Sequence, residues 1–261
     1  MNRKTDHVGS LIKYWRSKRR MSQYDLASES GISTKHLSFV ETGKSRPSQK
    51  LLNRFSQVLG LSLQNQNSLF LAAGYAPKFT KAPIHSDSMI IIDNAIDHIL
   101  KGHDPYPTLV VDSNYDIIKA NQGYKAVVDC FLGDGSSHQF TNVYSLMFEQ
   151  EGLQPFIQNW PLFESNLLGR LLQEANATQN EQLKLLYEDL KALRPVSKLT
   201  VADSGYELPI LDFTLEKENI SFRFFSMLTT FGTPLDVTVQ NLRIESMFPA
   251  DERTKQLLAD L

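Results

Sequence analysis

The chain has 261 residues, of which 41% are hydrophobic and 21% charged, with a single cysteine. This composition is ordinary for a soluble globular protein of two domains or one large one. It excludes an intrachain disulfide, which fits a reducing cytoplasm. The basic N-terminus lacks the continuous apolar stretch of a signal peptide, and no run of about 18 apolar residues predicts a membrane span. We therefore expect a cytoplasmic protein with no membrane partner.

Charge is distributed unevenly along the chain. Residues 1–62 contain 12 Lys and Arg against 4 Asp and Glu, a net charge of +8. Residues 63–261 contain 15 against 25, a net charge of −10. This asymmetry predicts that the basic head meets a polyanion and that the acidic body does not, although a merely solvated basic surface fits the charges equally well.

Five short helices are predicted between residues 8 and 73. Ser22, Ser33 and Ser48 are the expected N-caps of the second, third and fourth, because a serine side chain accepts a hydrogen bond from the first helical turn. Gly31 is expected in a left-handed turn between the second and third helices, since it has no Cβ to clash there. A short turn of this kind between two helices is typical of the helix-turn-helix motif, which presents its second helix to the major groove.

The predicted third helix has an inner and an outer side. Leu37 and Val40 are expected to face the core, which leaves the opposite side free for DNA. Hydroxyl groups can hydrogen-bond to base edges, and an ammonium group can bind guanine or phosphate. An aromatic ring can pack on thymine methyl groups. The predicted base-contacting residues are Thr34, Lys35, Ser38 and Phe39. Helix N-termini and basic side chains beside the helix suit phosphate. The remaining predicted DNA-binding residues are Gln23, Ser33, Lys44 and Arg46.

The stretch "SQYDLASESGISTKHLSFVETGKSRPS", residues 22–48, resembles the DNA-binding domain of the XRE family of phage-repressor-like regulators. The similarity covers about residues 8–74. It comprises the glutamine at the start of the second helix, the Leu-Ala pair, the turn glycine, the serine cap and the E-x-G…P-S exit. The resemblance implies sequence-specific binding to double-stranded DNA, with the first turns of the third helix entering the groove.

The rest of the chain is predicted to form a linker and a second domain. Residues 1–74 make the helix-turn-helix domain, residues 75–87 a linker rich in proline and other breakers, and residues 88–261 the second domain. The elements predicted in the second domain are a helix at about 88–101, two strands around a turn at 112–114, a helix capped by Asn121, mostly helical sequence over 142–193, three strands beginning in "LPILDFTLEK" and a final helix.

This order of elements predicts an α+β fold. The strands come as hairpins and not as βαβ units, so they predict a five-stranded antiparallel sheet with helices gathered on one side. The order resembles a PAS-type sensory fold. The whole chain is therefore expected to be α+β, with an all-α, five-helix N-terminal domain.

Phrases spread over almost the whole chain resemble the MmyB-like group of XRE regulators. They are "HLSFVETGKSRPS", "LFLAAGYAP", "VVDSNYDIIKAN", "FEQEGLQPFIQNW" and "FGTPLDVTVQNLRIESMFPAD". The resemblance implies a PAS-like ligand-binding domain that holds a fatty-acid-like molecule. The strand "IIKAN" departs from the group, because it lacks the tryptophan expected near Asn121.

Aromatic and aliphatic side chains are dense in the second domain, and most are expected in the core. The alternative is that a helix over residues 160–172 and the late strands enclose an elongated apolar cavity for an acyl chain. The apolar candidates are Phe156, Trp160, Phe163, Leu167, Phe213, Phe222 and Phe224. The candidates for orienting a head group are Asn121, Asn159 and Arg170.

Three function classes are distinguished. The first is a transcriptional regulator that binds a DNA operator as a homodimer and senses a small apolar ligand. The second is a DNA-binding regulator whose C-terminal domain is a ligand-free dimerisation or protein-docking platform with a filled core. The third is an enzyme, but the six histidines show no metal-ligand spacing and no G-x-S-x-G motif occurs. We therefore expect no catalysis, no metal and no required cofactor.

Overall fold

A computed structural model of the chain describes residues 3–193 and 212–261, with side chains from residue 8 onwards. The chain forms two compact units. The first, called here the N-terminal unit, comprises Met1–Pro83 and Thr233–Gln240; the second, the C-terminal unit, comprises Ile84–Gly232 and Asn241–Leu261.

Five helices build the N-terminal unit, as predicted. They are α1 (Arg3–Lys18), α2 (Gln23–Glu29), α3 (Thr34–Glu41), α4 (Gln49–Val58) and α5 (Leu63–Ala72). The predicted N-caps are confirmed: Ser22, Ser33 and Ser48 accept hydrogen bonds from the backbone of Asp25, His36 and Leu51. Gly31 has a φ of 66°, which confirms the left-handed turn between α2 and α3.

Helix α1 packs closely on the end of α3. A Cβ atom at Gly9 would lie 2.5 Å from the carbonyl oxygens of Val40 and Glu41, so the backbone of α1 leaves no room for a side chain there. Leu37 and Val40 are fully buried in the core of this unit, as expected. The inner side of α3 is thereby held against α1, and this determines which side of α3 faces outward.

A distant part of the chain completes the N-terminal unit. Thr233–Gln240 lies between the last two strands in sequence but packs with the N-terminal helices. Asp236 accepts a hydrogen bond from the Thr80 hydroxyl at 2.5 Å. The Gln240 side chain accepts one from the backbone N–H of Leu63 at 2.7 Å, at the first turn of α5. We call this stretch the clamp segment.

The C-terminal unit is built on a five-stranded antiparallel sheet in the order β2-β1-β5-β4-β3. Its strands are β1 (Thr108–Val111), β2 (Ile117–Ala120), β3 (Asp212–Lys217), β4 (Ile220–Thr230) and β5 (Arg243–Pro249). Its helices are α6 (Ile90–His103), α7 (Gln122–Leu132), α8 (Val143–Phe148), α9 (Trp160–Thr178), α10 (Glu181–Leu193) and α12 (Glu252–Ala259). The short helix α11 (Val237–Asn241) lies in the clamp segment except for its last residue.

This architecture confirms the predicted α+β fold class and its five-stranded antiparallel sheet. Helices lie on both faces of the sheet, however, and not on one side as expected. Alternation along β1 shows why: Leu109 and Val111 join the large core of α7, α8 and α9, whereas Val110 joins a smaller core with Ile96 of α6. Buried residues on both faces of one strand require cover on both sides. The beginning of the predicted strand at residues 208–211 lies outside the described residues.

Candidate DNA-binding face and ligand cavity

The outer side of α3 carries most of the predicted base-contacting residues. Thr34 and Lys35 are exposed, and Ser38 is half-buried. Phe39 is 39% exposed, so part of its ring is available for contact. Ser33 is also exposed, and its hydroxyl is engaged in capping α3. One helix therefore presents hydroxyl, ammonium and aromatic groups together.

Two lysines flank the Phe39 ring. The Nζ atoms of Lys35 and Lys44 each lie 5.8 Å from the ring centroid, within the range of cation–π attraction. Lys35 is on α3 and Lys44 follows its C-terminus. The result is a positively charged edge around an exposed apolar surface, which suits phosphates beside the methyl groups of bases.

Gln23 is held by a buried ion pair. Its side-chain nitrogen donates to Glu41 at 2.7 Å, and Glu41 also binds the Arg16 guanidinium through two hydrogen bonds of 2.7 and 3.1 Å. Glu41 is 8% exposed, so these contacts provide the charge and hydrogen bonds that its burial requires. Gln23 thus connects the start of α2 to the end of α3 in addition to its predicted phosphate contact.

Arg46 is exposed, and it also supports the end of α5. Its guanidinium donates to the backbone oxygens of Ala73 at 3.0 Å and Gly74 at 3.3 Å, and it lies 4.5 Å from the centroid of the Tyr75 ring. These last carbonyls of a helix have no partner within the helix itself. Arg46 therefore has a structural role beside the predicted contact with phosphate.

A cavity of about 340 Å³ lies in the C-terminal unit. It is bounded by α8, α9, β3, β4 and β5. Its lining is mainly apolar, with four polar side chains, which is the usual composition of a small-molecule site. The lining residues are Val143, Met147, Phe163, Asn166, Leu167, Arg170, Phe213, Ser226, Glu245 and Met247.

Charged groups are concentrated at the polar part of this cavity. The Arg170 guanidinium lies 3.7 Å from the Glu245 carboxylate and 5.8 Å from the centre of the Tyr115 ring. Burial opposes the charge of Arg170, but the nearby Glu245 carboxylate raises the pKa of Arg170, so this arginine stays cationic. Behind Tyr115, Arg243 and Glu174 form a second ion pair, and the Tyr115 hydroxyl donates to Glu174 at 2.6 Å.

Four of the predicted ligand-binding residues line the cavity, and they are Phe163, Leu167, Arg170 and Phe213. The other six lie elsewhere. Phe222 and Phe224 are fully buried and stacked in the core. Phe156 packs on Phe131, Trp160 packs on Phe148, and Asn159 is an exposed residue before α9.

Asn121 is a structural residue and not part of the cavity lining. Its side-chain oxygen accepts hydrogen bonds from the backbone of Thr108 and Tyr124, both at 2.9 Å. Its side-chain nitrogen donates to Tyr106 at 2.8 Å and to Leu100 at 3.4 Å. These bonds cap α7 and join it to the start of β1, which leaves the amide no capacity to orient a ligand.

Sequence reasoning missed six lining residues: Val143, Met147, Asn166, Ser226, Glu245 and Met247. Asn166 could have been predicted, because it lies one helical turn before Arg170 on α9 and therefore on the same face of the helix. Glu245 and Met247 alternate on β5, which indicates a shared face, but the charge of Glu245 gave no reason to place it inside.

The described residues contain neither a candidate metal site nor a helix that could span a membrane. Residues 3–193 and 212–261 contain no group of three His, Cys, Asp or Glu side chains placed to hold a metal ion. Within the same residues, no helix is long and apolar enough to cross a membrane.

The chain is similar to several solved structures, and the similarity to three of them is given by identity, coverage and TM-score. The restriction-modification controller protein C.AhdI from Aeromonas hydrophila is 21% identical, covering 24% of this chain and 94% of that one, with a TM-score of 0.23. The clp gene regulator ClgR from Corynebacterium glutamicum is 23% identical, covering 28% and 92%, with a TM-score of 0.25. An RNA-binding Light-Oxygen-Voltage receptor is 11% identical, covering 98% and 64%, with a TM-score of 0.30. These scores carry no functional argument, and no curated protein matches.

Two family models match the chain. A helix-turn-helix model matches residues 12–65, which include α2, α3 and the predicted DNA-binding residues. The model of the MmyB-like transcription regulator ligand-binding domain matches residues 92–261, more than half of the chain. That range contains the whole cavity lining. The chain therefore belongs to the MmyB-like family of transcription regulators, with an XRE-type helix-turn-helix domain before its ligand-binding domain.

Proposed function

We propose that this protein is a cytoplasmic, homodimeric regulator that binds a specific DNA operator and senses a small molecule with an apolar, fatty-acid-like chain. The observation that carries the sensing part is the mainly apolar cavity with charged groups at one part of its lining. A filled core, as a pure docking platform requires, would leave no such space. The regulators of this family are not enzymes, and we propose no catalytic role.

Base recognition is assigned to the outer side of α3. Thr34 and Ser38 offer hydroxyls to base edges, Lys35 reaches guanine or phosphate, and Phe39 packs on thymine methyl groups. The buried positions of Leu37 and the contact at Gly9 support this orientation, because they hold the opposite side of the helix in the core.

Phosphate contacts are assigned to groups around α3. Lys44 is exposed beside Phe39, where its ammonium can reach a phosphate. Arg46 is exposed as well, although part of its hydrogen-bonding capacity is used at the end of α5. Contacts of this kind give affinity that depends strongly on salt and little on sequence.

The apolar chain of the ligand is assigned to the part of the cavity lined by Phe163, Leu167 and Phe213. Val143 and Met147 of α8 complete this apolar lining. Burying a chain here removes apolar surface from water, at about 25 cal/mol per Å². The head group then lies at the polar part, beside Arg170.

A ligand regulates only if its affinity differs between DNA-competent and DNA-incompetent arrangements. The clamp segment supplies a route for such a difference. Ser226 on β4, and Glu245 and Met247 on β5, line the cavity. The chain between these strands includes Thr233–Gln240, which belongs to the unit that carries the DNA-binding face and contacts that unit at Thr80 and at the start of α5. In a dimer, a change in this connection alters the spacing of two α3 helices, which must match about one DNA turn, ~34 Å.

Native mass spectrometry of freshly purified protein, before and after denaturing extraction, tests the proposal. We expect a dimer with a retained mass of acyl-chain size, which extraction removes. A dimer without extra mass, whose melting temperature no acyl compound raises, would contradict the sensing function. It would favour the docking-platform alternative and leave DNA binding unaffected.

A further inference from the structure

The polar part of the cavity contains an ion pair whose two charged groups do not hydrogen-bond to each other. The nearest oxygen of Glu245 lies 3.7 Å from a guanidinium nitrogen of Arg170, beyond hydrogen-bond distance. The Glu245 side chain is only 10% exposed, and the Arg170 side chain 36%. Among the described residues, Arg170 is the only cationic partner of Glu245 within 4.0 Å. An N–H group of Arg170 and a carboxylate oxygen of Glu245 therefore remain available to a third group.

The charges around the cavity balance without a ligand. Of the described lining residues, Arg170 contributes the positive charge and Glu245 the negative charge. The neighbouring Arg243 and Glu174 neutralise each other. An anionic head group therefore meets no excess of positive charge.

A carboxylate bound to Arg170 would also lie beside Glu245. Two carboxylates that share a partly buried site repel each other, and one of them takes up a proton. A neutral group that accepts from Arg170 and donates to Glu245 avoids this cost and uses both free positions. Primary amides and alcohols have this combination of donor and acceptor.

We propose that the cavity selects a molecule with an apolar chain and an uncharged, hydrogen-bonding head group, such as a primary amide or an alcohol, over a free carboxylate. This inference rests on the proposed sensing function and specifies its ligand class. Glu245 is the residue that decides the selection. A fatty acid enters the same site in its protonated form.

The test compares four probes with the same chain: decanamide, decanol, decanoate and decylamine. Each is titrated calorimetrically into the full chain after removal of retained lipid, near neutral pH where free decanoate is ionised. We expect the amide and the alcohol to bind at least about tenfold more tightly than decanoate, the scale of one like-charge contact at intermediate dielectric. We also expect decanoate to bind with uptake of a proton, and therefore more tightly as the pH is lowered.

Glu245→Gln provides the matched variant, because it keeps the size of the side chain and removes its charge. We expect this variant to prefer decanoate, since Arg170 is then no longer neutralised. Glu216→Gln, at an exposed position on β3, is the control for a change of net charge and should leave the order of the probes unchanged. If Glu245→Gln does not fold, proton uptake by wild-type protein still tests the inference.

Two kinds of failure are distinguishable. Wild-type protein that binds decanoate at least as tightly as the neutral probes, without proton uptake, would overturn the inference and leave the sensing function standing. Binding of decylamine, which is cationic at this pH, at least as tightly as the neutral probes would do the same. Protein that binds none of the four probes and retains no extractable molecule would overturn the sensing function as well.

Discussion

The DNA-binding face takes its predicted base contacts from one helix of eight residues, whereas the cavity takes its lining from two helices and three strands. On α3, the outward positions follow once Leu37 and Val40 are known to be buried, because the helical repeat determines the rest. In the cavity, Val143 and Met247 are far apart in the chain and meet only through the sheet and α9. A site on one helix is therefore determined locally, and a site inside an α+β unit is determined by long-range pairing.

Asn121→Ala should give the largest effect, because Asn121 combines a local cap with long-range contacts. The substitution leaves the buried backbone N–H groups of Thr108 and Tyr124 without their acceptor. At about 1–3 kcal/mol for each buried group left unsatisfied, we expect a loss of about 3 kcal/mol or more in the free energy of unfolding. Urea denaturation of wild type and variant measures it.

Asn94→Ala is the matched control for that experiment, since Asn94 is an exposed residue on α6 of the same unit. An equal loss in both variants would mean that the network around Asn121 is not what stabilises the unit. If Asn121→Ala instead kept its stability and lost ligand affinity, the head-group role first predicted for Asn121 would be restored.

Asn121 also illustrates how far sequence reasoning reached. The pattern predicted the cap of α7 correctly, because a cap depends on residues next to it in the chain. It did not predict the bonds to Thr108 and Tyr106, which depend on how β1 lies beside α7. The five N-terminal helices and their caps were predictable for the same local reason. The position of Glu245 in the cavity and that of Asp236 in the N-terminal unit carried no local signal.

Base contacts should separate from phosphate contacts on the DNA-binding face. Lys35→Ala or Ser38→Ala should weaken a specific site by about 1–3 kcal/mol and leave binding to random DNA less affected. Lys44→Ala should weaken both alike and flatten the salt dependence. Arg46→Ala should do the same, with a further loss of stability because Arg46 supports the end of α5. Fluorescence anisotropy on a site selected from random DNA measures these changes.

Equal losses on specific and random DNA for Lys35→Ala, Ser38→Ala and Lys44→Ala would show that the outer side of α3 does not read bases. The position of α3 would then be predicted correctly from the sequence, but its role in reading bases would be wrong. Local sequence would determine the structure of this site and not its function.

The clamp segment tests whether a long-range contact also stabilises the N-terminal unit. Burial raises the pKa of Asp236, but hydrogen bonds from Thr80, Ala82 and Thr238 outweigh it and hold the pKa below the ordinary value of 3.8. In Asp236→Asn, these donors face either the amide nitrogen, which cannot accept a hydrogen bond, or the amide oxygen, which is a weaker acceptor than a carboxylate. We expect a loss of about 1–2 kcal/mol in the free energy of unfolding near neutral pH.

The pH dependence of that loss has a definite sign. A carboxylate with a lowered pKa in the folded state stabilises fully above 3.8, and the contribution disappears as the pH falls through the folded-state pKa. The stability difference between wild type and Asp236→Asn should therefore shrink below about pH 4. Asp134→Asn, at an exposed position, is the control. A difference that stays constant into acid would show that the Asp236 charge is not what holds the clamp segment.

Substitutions of Ser33 should have the smallest effect on stability. They separate its role as the N-cap of α3 from its predicted role in DNA binding. Ser33→Ala removes the hydrogen bond to the backbone N–H of His36 and should cost about 1 kcal/mol of stability. Ser33→Asp keeps an equally good cap, and its negative charge suits a helix N-terminus, so stability should stay within about 0.5 kcal/mol of wild type. The same charge faces phosphate if α3 enters the groove, so Ser33→Asp should weaken binding to every DNA sequence. Thermal unfolding and DNA titration on the two variants measure both quantities. A stable Ser33→Asp protein with unchanged DNA affinity would mean that the N-terminus of α3 does not approach the phosphate backbone, because a stable helix with an added negative charge in that position cannot be neutral toward a polyanion.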